Sequence, residues 1–168
     1  MKDDSIAIVD CEIEIFAPQL PDLTAVASSY PDIQFILPVM GWPIDLTDAG
    51  HRDWKRDMKA LSGCENVAVK IFGMECIFGL NWTVDEICPW ILDTIEFFRP
   101  DRCMFASHVP IAKLACSFQN LCCAYLDVVA DFSASEKRKL FHDTATVVYG
   151  LASSDRSQQE GSHIGRLG

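Results

Sequence analysis

Short apolar runs alternate along the chain with longer segments in which apolar residues recur at helical spacing. Four short runs predict strands, at residues 11–16, 34–37, 66–73 and 103–106. The longer segments predict helices at residues 22–27, 51–61, 83–98, 117–130 and 133–149, and residues 73–80 are predicted to form a loop. Because strands and helices alternate, we expect parallel strands joined by right-handed crossovers.

Helix starts are marked by polar residues at defined spacing. Thr83 with Glu86, and Ser133 with Glu136, fit the capping-box pattern. Asp22 is the expected N-cap of the first helix. Pro89 is expected to kink the helix that contains it, or to delay its regular part.

Four strand–helix units form either half of a closed eight-stranded barrel or a small open sheet. A complete β/α barrel takes about 250 residues and rarely fewer than 200, whereas this chain has 168. The fold class predicted is therefore α/β, a partial (β/α)8 TIM barrel over residues 1–151. Residues 152–168 lack periodicity and are predicted to be a disordered tail.

Composition excludes some function classes. The net charge of −10 argues against nucleic acid as a partner, because phosphate binding needs clustered Lys and Arg. No apolar run approaches 18 residues, and the first residues are acidic, so we expect neither a membrane span nor a secretory signal. The eight cysteines form no C-x-x-C pair, and we interpret them as reduced core residues of a cytoplasmic protein.

Polar side chains near the C-terminal ends of the predicted strands are the candidate site residues, because α/β barrels keep their chemistry there. His108 is the candidate catalytic residue, since an imidazole with a pKa of about 6.5 suits acid–base work near neutral pH. Alternatively, it is a strand-end residue hydrogen-bonded to Ser107 or to a loop. Ser107, next to it, is a candidate for substrate binding.

Three further residues are candidates for substrate binding, each with a structural alternative. Lys70 suits a substrate carboxylate, but it equally suits a pair with Glu75 or exposure to solvent. The Gln19 amide could hydrogen-bond a ligand, or it could hydrogen-bond the backbone of its own loop. Trp42 could line an apolar ligand pocket, or it could cover the end of the hydrophobic core.

Several short motifs, in their order, resemble the C-terminal half of the amidohydrolase-related family. They are Gln19-Leu20-Pro21, Tyr30-Pro31-Asp32, Gly41-Trp42-Pro43, Asn66 to Lys70 and Pro100 to Ser107. The family contains metal-dependent hydrolases with a TIM-barrel fold, among them sugar lactonases and 2-pyrone-dicarboxylate lactonases. The resemblance implies that the four predicted strands are strands five to eight of such a barrel.

The chain departs from the family pattern where the family binds metal. The His-x-His pair of the first strand does not occur, Val39 stands in place of a polar residue after the sixth strand, and His108 replaces the usual Asp after the eighth. We therefore expect no metal site within this chain, and a divalent metal only if an N-terminal half supplies ligands.

Two functions stay open at this point. The first is hydrolysis of a small-molecule lactone or carboxylic ester by a water activated near His108, with Lys70 and Gln19 orienting the substrate. The second is a catalytically inactive remnant that acts as an interaction or oligomerisation module. Because a half-barrel leaves sheet edges unpaired, we expect a homo-oligomer or a companion N-terminal half.

Overall fold

A parallel sheet forms the centre of the structure, a computed structural model that describes residues 14–151. Its strands are β1 (Phe35–Leu37), β2 (Val67–Ile71) and β3 (Cys103–Phe105). The helices are α1 (Leu20–Ser29), α2 (Asp48–Leu61), α3 (Met74–Ile77), α4 (Val84–Phe98), α5 (Phe118–Val128), α6 (Ala134–Arg138) and α7 (Thr144–Val148). Short 3-10 turns precede α1 and β3 and follow β1.

Strand order and direction agree with the prediction for these three strands. The order is β1-β2-β3, and both neighbouring pairs are parallel. Phe35 pairs with Val67, and Val69 pairs with Cys103. The C-terminal ends of the three strands therefore lie along one edge of the sheet.

The first predicted strand, residues 11–16, is not present as predicted. Its residues 11–13 lie outside the described part, and Glu14 to Phe16 do not form strand. The chain instead enters a 3-10 turn at Ala17, where Pro18 removes a backbone donor. The described sheet thus has three strands rather than four, and the predicted tail at 152–168 also lies outside the described residues.

One face of the sheet packs on the helices. Val67, Val69 and Ile71 of β2 belong to the hydrophobic core with Trp54 of α2 and Trp90 of α4. Alternate residues of a strand point to opposite faces, so Ala68 and Lys70 lie on the other face. This alternation places Lys70 on the face of the sheet that the core helices do not cover.

The two predicted capping boxes are present at the starts of α4 and α6. In both capping boxes the hydroxyl accepts from the backbone N–H three residues on, while the glutamate reaches back to the cap. The prediction for Asp22 was wrong, because α1 begins at Leu20 and Asp22 lies in its first turn. Pro89 does not end α4, which continues to Phe98.

The last predicted helix is one helical segment with an irregular centre. Between α6 and α7 the residues Lys139–Asp143 form a π-helical turn, and Leu140 within it is fully buried. A π turn accommodates one extra residue in the helix, and this segment packs on β3. Across residues 14–151, no helix is both long enough and apolar enough to cross a bilayer.

Candidate functional site

A histidine and a glutamate meet at the C-terminal edge of the sheet. His108 follows β3, and Glu75 lies in α3 directly after β2. His108 Nδ1 makes a short contact with Glu75 Oε1. The Glu75 side chain is 3% exposed and that of His108 is 20% exposed, so the carboxylate is shielded while the ring still reaches the surface.

The backbone around this pair takes left-handed conformations. Gly73 has a φ of +78° and His108 a φ of +51°. A Cβ at Gly73 would lie 3.2 Å from Val39 Cγ1 and 3.8 Å from His108 Nδ1. Glycine lets the chain turn from β2 into α3 at this close approach. A left-handed histidine is sparsely populated, and such residues concentrate at functional sites.

A thiol completes a cluster of three possible metal donors. Cys76 Sγ lies 4.0 Å from Glu75 Oε1. One ligand atom from each of Glu75, Cys76 and His108 lies within 4.8 Å of the other two. Carboxylate oxygen, thiolate sulfur and imidazole nitrogen are all zinc ligands, and three protein donors are the usual number in an open zinc site.

The Glu75 carboxylate makes the surroundings of the pair electronegative. The pKa of Cys76 is raised by burial first, and then by the negative charges of Glu75 and Glu14. Burial and the Glu75 charge likewise raise the pKa of Cys116 and of Tyr125. A cation at this place would be attracted by the same field.

Phe72 connects two of the predicted site residues. Its ring centroid lies 4.9 Å from that of His108, and Lys70 Nζ lies 5.2 Å from the Phe72 centroid. The structure therefore brings Lys70 and His108 against the same aromatic ring, at the same edge of the sheet.

Gln19 and Ser107 contact loop backbone. Gln19 is exposed, and its Oε1 accepts a hydrogen bond from the Phe16 N–H at 3.0 Å. Ser107 Oγ accepts from the Val109 N–H at 3.4 Å. These contacts match the structural alternative considered for Gln19, and a role in substrate binding stays a prediction for both residues.

Trp42 lies after β1 and packs on Phe16, with ring centroids 5.8 Å apart. Its indole Nε1 is buried and has no hydrogen-bond partner among residues 14–151. Buried donors are normally satisfied, so this N–H is an exception among the described residues, and a role of Trp42 in substrate binding stays a prediction.

Glu75 and Cys76 were not among the residues predicted for the site. They lie in the segment predicted as a loop, which contains the four-residue helix Met74–Ile77. A helix of one turn has too few residues to show periodicity. Gly73 is the feature of the sequence that could have indicated these two residues. A glycine just after a buried strand indicates a sharp turn at the C-terminal end of the sheet, where binding sites form.

Sequence comparison places the chain in a family. The family model described as "Amidohydrolase" matches residues 6–151. A Sinorhizobium fredii (strain NBRC 101917 / NGR234) protein of uncharacterised function, y4mH, is 34% identical over 138 residues, which are 82% of this chain and 46% of that protein. The chain belongs to the amidohydrolase family, and the predicted resemblance is confirmed.

Solved structures agree on the fold. An amidohydrolase from Burkholderia multivorans with bound zinc has a TM-score of 0.76 and 24% identity, over 83% of this chain and 52% of its own. A candidate 2-pyrone-4,6-dicarboxylic acid hydrolase from Pseudomonas putida has a TM-score of 0.64 and 18% identity, over 80% and 49%. The chain spans about half the length of these relatives, and its fold is TIM-barrel-like.

Proposed function

We propose that this chain is a hydrolase domain that acts on a small-molecule lactone or carboxylic ester. The observation that carries the proposal is the contact between His108 and Glu75 at the C-terminal edge of a parallel sheet. Active sites of β/α barrels lie at that edge, on the segments that follow the strands. The family membership supports hydrolysis as the reaction class.

Ester hydrolysis adds water to a carbonyl and breaks the bond to the leaving oxygen. The attacking water must lose a proton, and the ring of His108 with the Glu75 carboxylate is the basic pair at this point. Because Glu75 holds Nδ1, it fixes the orientation of the ring and leaves Nε2 to face water or substrate. Glu75 is thus a positioning residue for His108.

The substrate is proposed to carry a carboxylate. Lys70 presents a compact positive charge beside Phe72, and an ammonium group binds a carboxylate as a point charge. The Phe72 ring supplies an apolar wall next to His108. Gln19, Trp42 and Ser107 are proposed as outer substrate contacts.

The donor cluster at the site fits a zinc-class ion by its chemistry, since Glu75, Cys76 and His108 offer one oxygen, one sulfur and one nitrogen. When bound, such an ion would supply Lewis-acid polarisation of the substrate carbonyl, and His108 and Glu75 would then hold the ion instead of acting as the basic pair.

A panel of sugar lactones and 2-pyrone-4,6-dicarboxylate tests the proposal, with hydrolysis followed as acid release. Turnover is expected from the native chain. His108→Ala should lower it by at least about 100-fold, the usual minimum for a lost acid–base group. His142→Ala is the matched control, because His142 is exposed and pairs only locally with Asp143. Equal turnover by His108→Ala would reject the proposal.

A second candidate function is an inactive interaction module. It is favoured by Val39, which is 1% exposed and packs against Gly73, where the family pattern has a polar residue. An apolar side chain there neither binds a metal nor hydrogen-bonds a substrate. Absence of turnover across the whole panel, with folded protein, would favour this candidate.

The proposed partner is a companion N-terminal half or a second copy of the chain. The relatives are about twice as long, and the described sheet ends at two strands, β1 and β3, each paired on one side. Unpaired edges invite further strands. Light scattering after size exclusion should show a species heavier than the 18.8 kDa chain, and a clean monomer would contradict self-association.

A further inference from the structure

We propose that this chain, without any other, binds one zinc-class metal ion through a sulfur-containing ligand set in which Cys76 is the thiolate, beside Glu75 and His108. The proposal deepens the proposed function, because it names the ligands and the class of metal at the same site. It can nevertheless be tested without any substrate.

Geometry is the first support. Two of the three residues are adjacent on α3, and the third arrives from the end of β3, so the cluster is formed by the fold rather than by one segment. The three ligand atoms lie within 4.8 Å of one another. Bond lengths of zinc to its ligands place donor atoms about 3.3–3.6 Å apart in a tetrahedron, so side-chain rotations of small amplitude are sufficient.

Burial and charge are the second support. Glu75 keeps a carboxylate in a position that is 3% exposed, which is costly for a charge unless a cation or a hydrogen bond compensates it. His108 supplies one such contact, and a bound cation would supply a stronger one. Binding releases the proton of the Cys76 thiol to solvent, since only the thiolate ligates.

The donor set also selects the metal. Sulfur and imidazole ligands favour zinc, cobalt and iron, whereas magnesium, calcium and manganese prefer sites made of oxygen. The ligand set differs from the family pattern, whose His-x-His pair occurs nowhere in this sequence. The proposed site therefore combines His108, which stands in the place of the family's Asp after the eighth strand, with Glu75 and Cys76, which do not belong to the family pattern.

Cobalt(II) titration of the untagged full-length chain tests the proposal. Cobalt replaces zinc and gives visible absorption when four-coordinate, together with a near-ultraviolet band when a thiolate is a ligand. One equivalent should bind, with both signals present, and zinc should displace it while magnesium should not. Absence of stoichiometric binding would overturn the proposal.

Four variants assign the ligands. Cys76→Ser should abolish the thiolate band, while Cys123→Ser, a control at an exposed cysteine, should leave both signals unchanged. Glu75→Gln and His108→Ala should each weaken binding by at least about tenfold, the lower end of the cost seen even for outer partners of a metal. Circular dichroism checks that each variant is folded, and the near-isosteric Ser and Gln changes keep the test valid if His108→Ala does not fold.

A thiolate band that survives Cys76→Ser would also overturn the proposal, because another cysteine would then be the ligand. The result is separable from catalysis. Cobalt bound through Cys76 without any lactone turnover would leave the metal site standing and reject the hydrolase proposal. Lactone turnover by a protein that is shown to bind no metal would reject the metal site and leave the hydrolase proposal standing.

Discussion

Two of the histidine–carboxylate pairs among the described residues have similar chemistry and different surroundings. His108 meets Glu75 at the C-terminal edge of the sheet. His51 lies 2.9 Å from Asp93 between α2 and α4 on the outside of the sheet, without the alignment of a hydrogen bond. In the first pair His108 has a left-handed backbone conformation and Glu75 lies in the one-turn helix α3, whereas both members of the second pair lie on longer helices.

The neighbours of the two pairs differ as much as the backbone does. The His51 ring centroid is 4.1 Å from that of Trp90 and 5.6 Å from that of Trp54, and Lys55 Nζ lies 2.6 Å from Asp93. Asp93 is thus already compensated by a permanent cation. Glu75 has instead a thiol beside it and a ring that reaches the surface. A histidine and a carboxylate therefore serve packing in one region and are available for chemistry in the other.

Trp90→Ala should cause the largest effect on stability. Trp90 is 5% exposed and contacts His51, Trp54 and Phe78 through its ring, so its removal leaves a cavity. The free energy of unfolding should fall by about 3–5 kcal/mol, measured by urea denaturation. Below its denaturation midpoint the variant should still bind one cobalt ion, because α4 supplies no ligand.

Loss of cobalt binding in Trp90→Ala, with circular dichroism showing a folded chain, would contradict this separation of the two pairs. His51 and Asp93 would then be coupled to the strand-end site, and the division into a packing pair and a chemical pair would be wrong.

How far the sequence predicts the structure differs between these regions for physical reasons. β1 and the start of α4 were predicted within a residue or two, because Pro38 stops the strand and Thr83 caps the helix locally. Glu75 was missed because its contact with His108 depends on how two distant segments approach. His51 is the first residue of a predicted helix, and its place among tryptophans follows from the packing between α2 and α4, which the local sequence does not indicate.

Asp93→Asn should have an intermediate effect, confined to stability. The change removes the charge that pairs with Lys55 and His51, and Asp93 is 13% exposed. Because Lys55 is 40% exposed and screened by solvent, the expected loss is about 1–2 kcal/mol in the free energy of unfolding. Asp53→Asn is the control, since Asp53 pairs with Arg56 at an exposed position, and its cost should stay below about 0.5 kcal/mol.

An Asp93→Asn loss no larger than that of the control would show that the aromatic contacts alone hold His51. The stabilising contacts of His51 would then be those with the Trp54 and Trp90 rings, and the ion pair with Asp93 would contribute little. Lactone turnover and cobalt binding are expected to be unchanged in both variants.

The smallest effect concerns thiol reactivity, measured by iodoacetamide labelling and mass spectrometry of the folded chain. Cys103 is fully buried, and burial strongly raises its pKa, so it should stay unmodified. Cys123 is exposed and should label first. Cys76 is exposed as well, but it should label more slowly than Cys123 at neutral pH and faster as the pH rises, since partial desolvation and the Glu75 charge raise its pKa and reduce the thiolate fraction. One equivalent of zinc should protect Cys76 and leave Cys123 unchanged, because a ligated sulfur has its lone pair engaged with the metal. Equal protection of both cysteines would show that zinc acts on the whole fold, and that the chemistry assigned to the strand-end pair is not localised there.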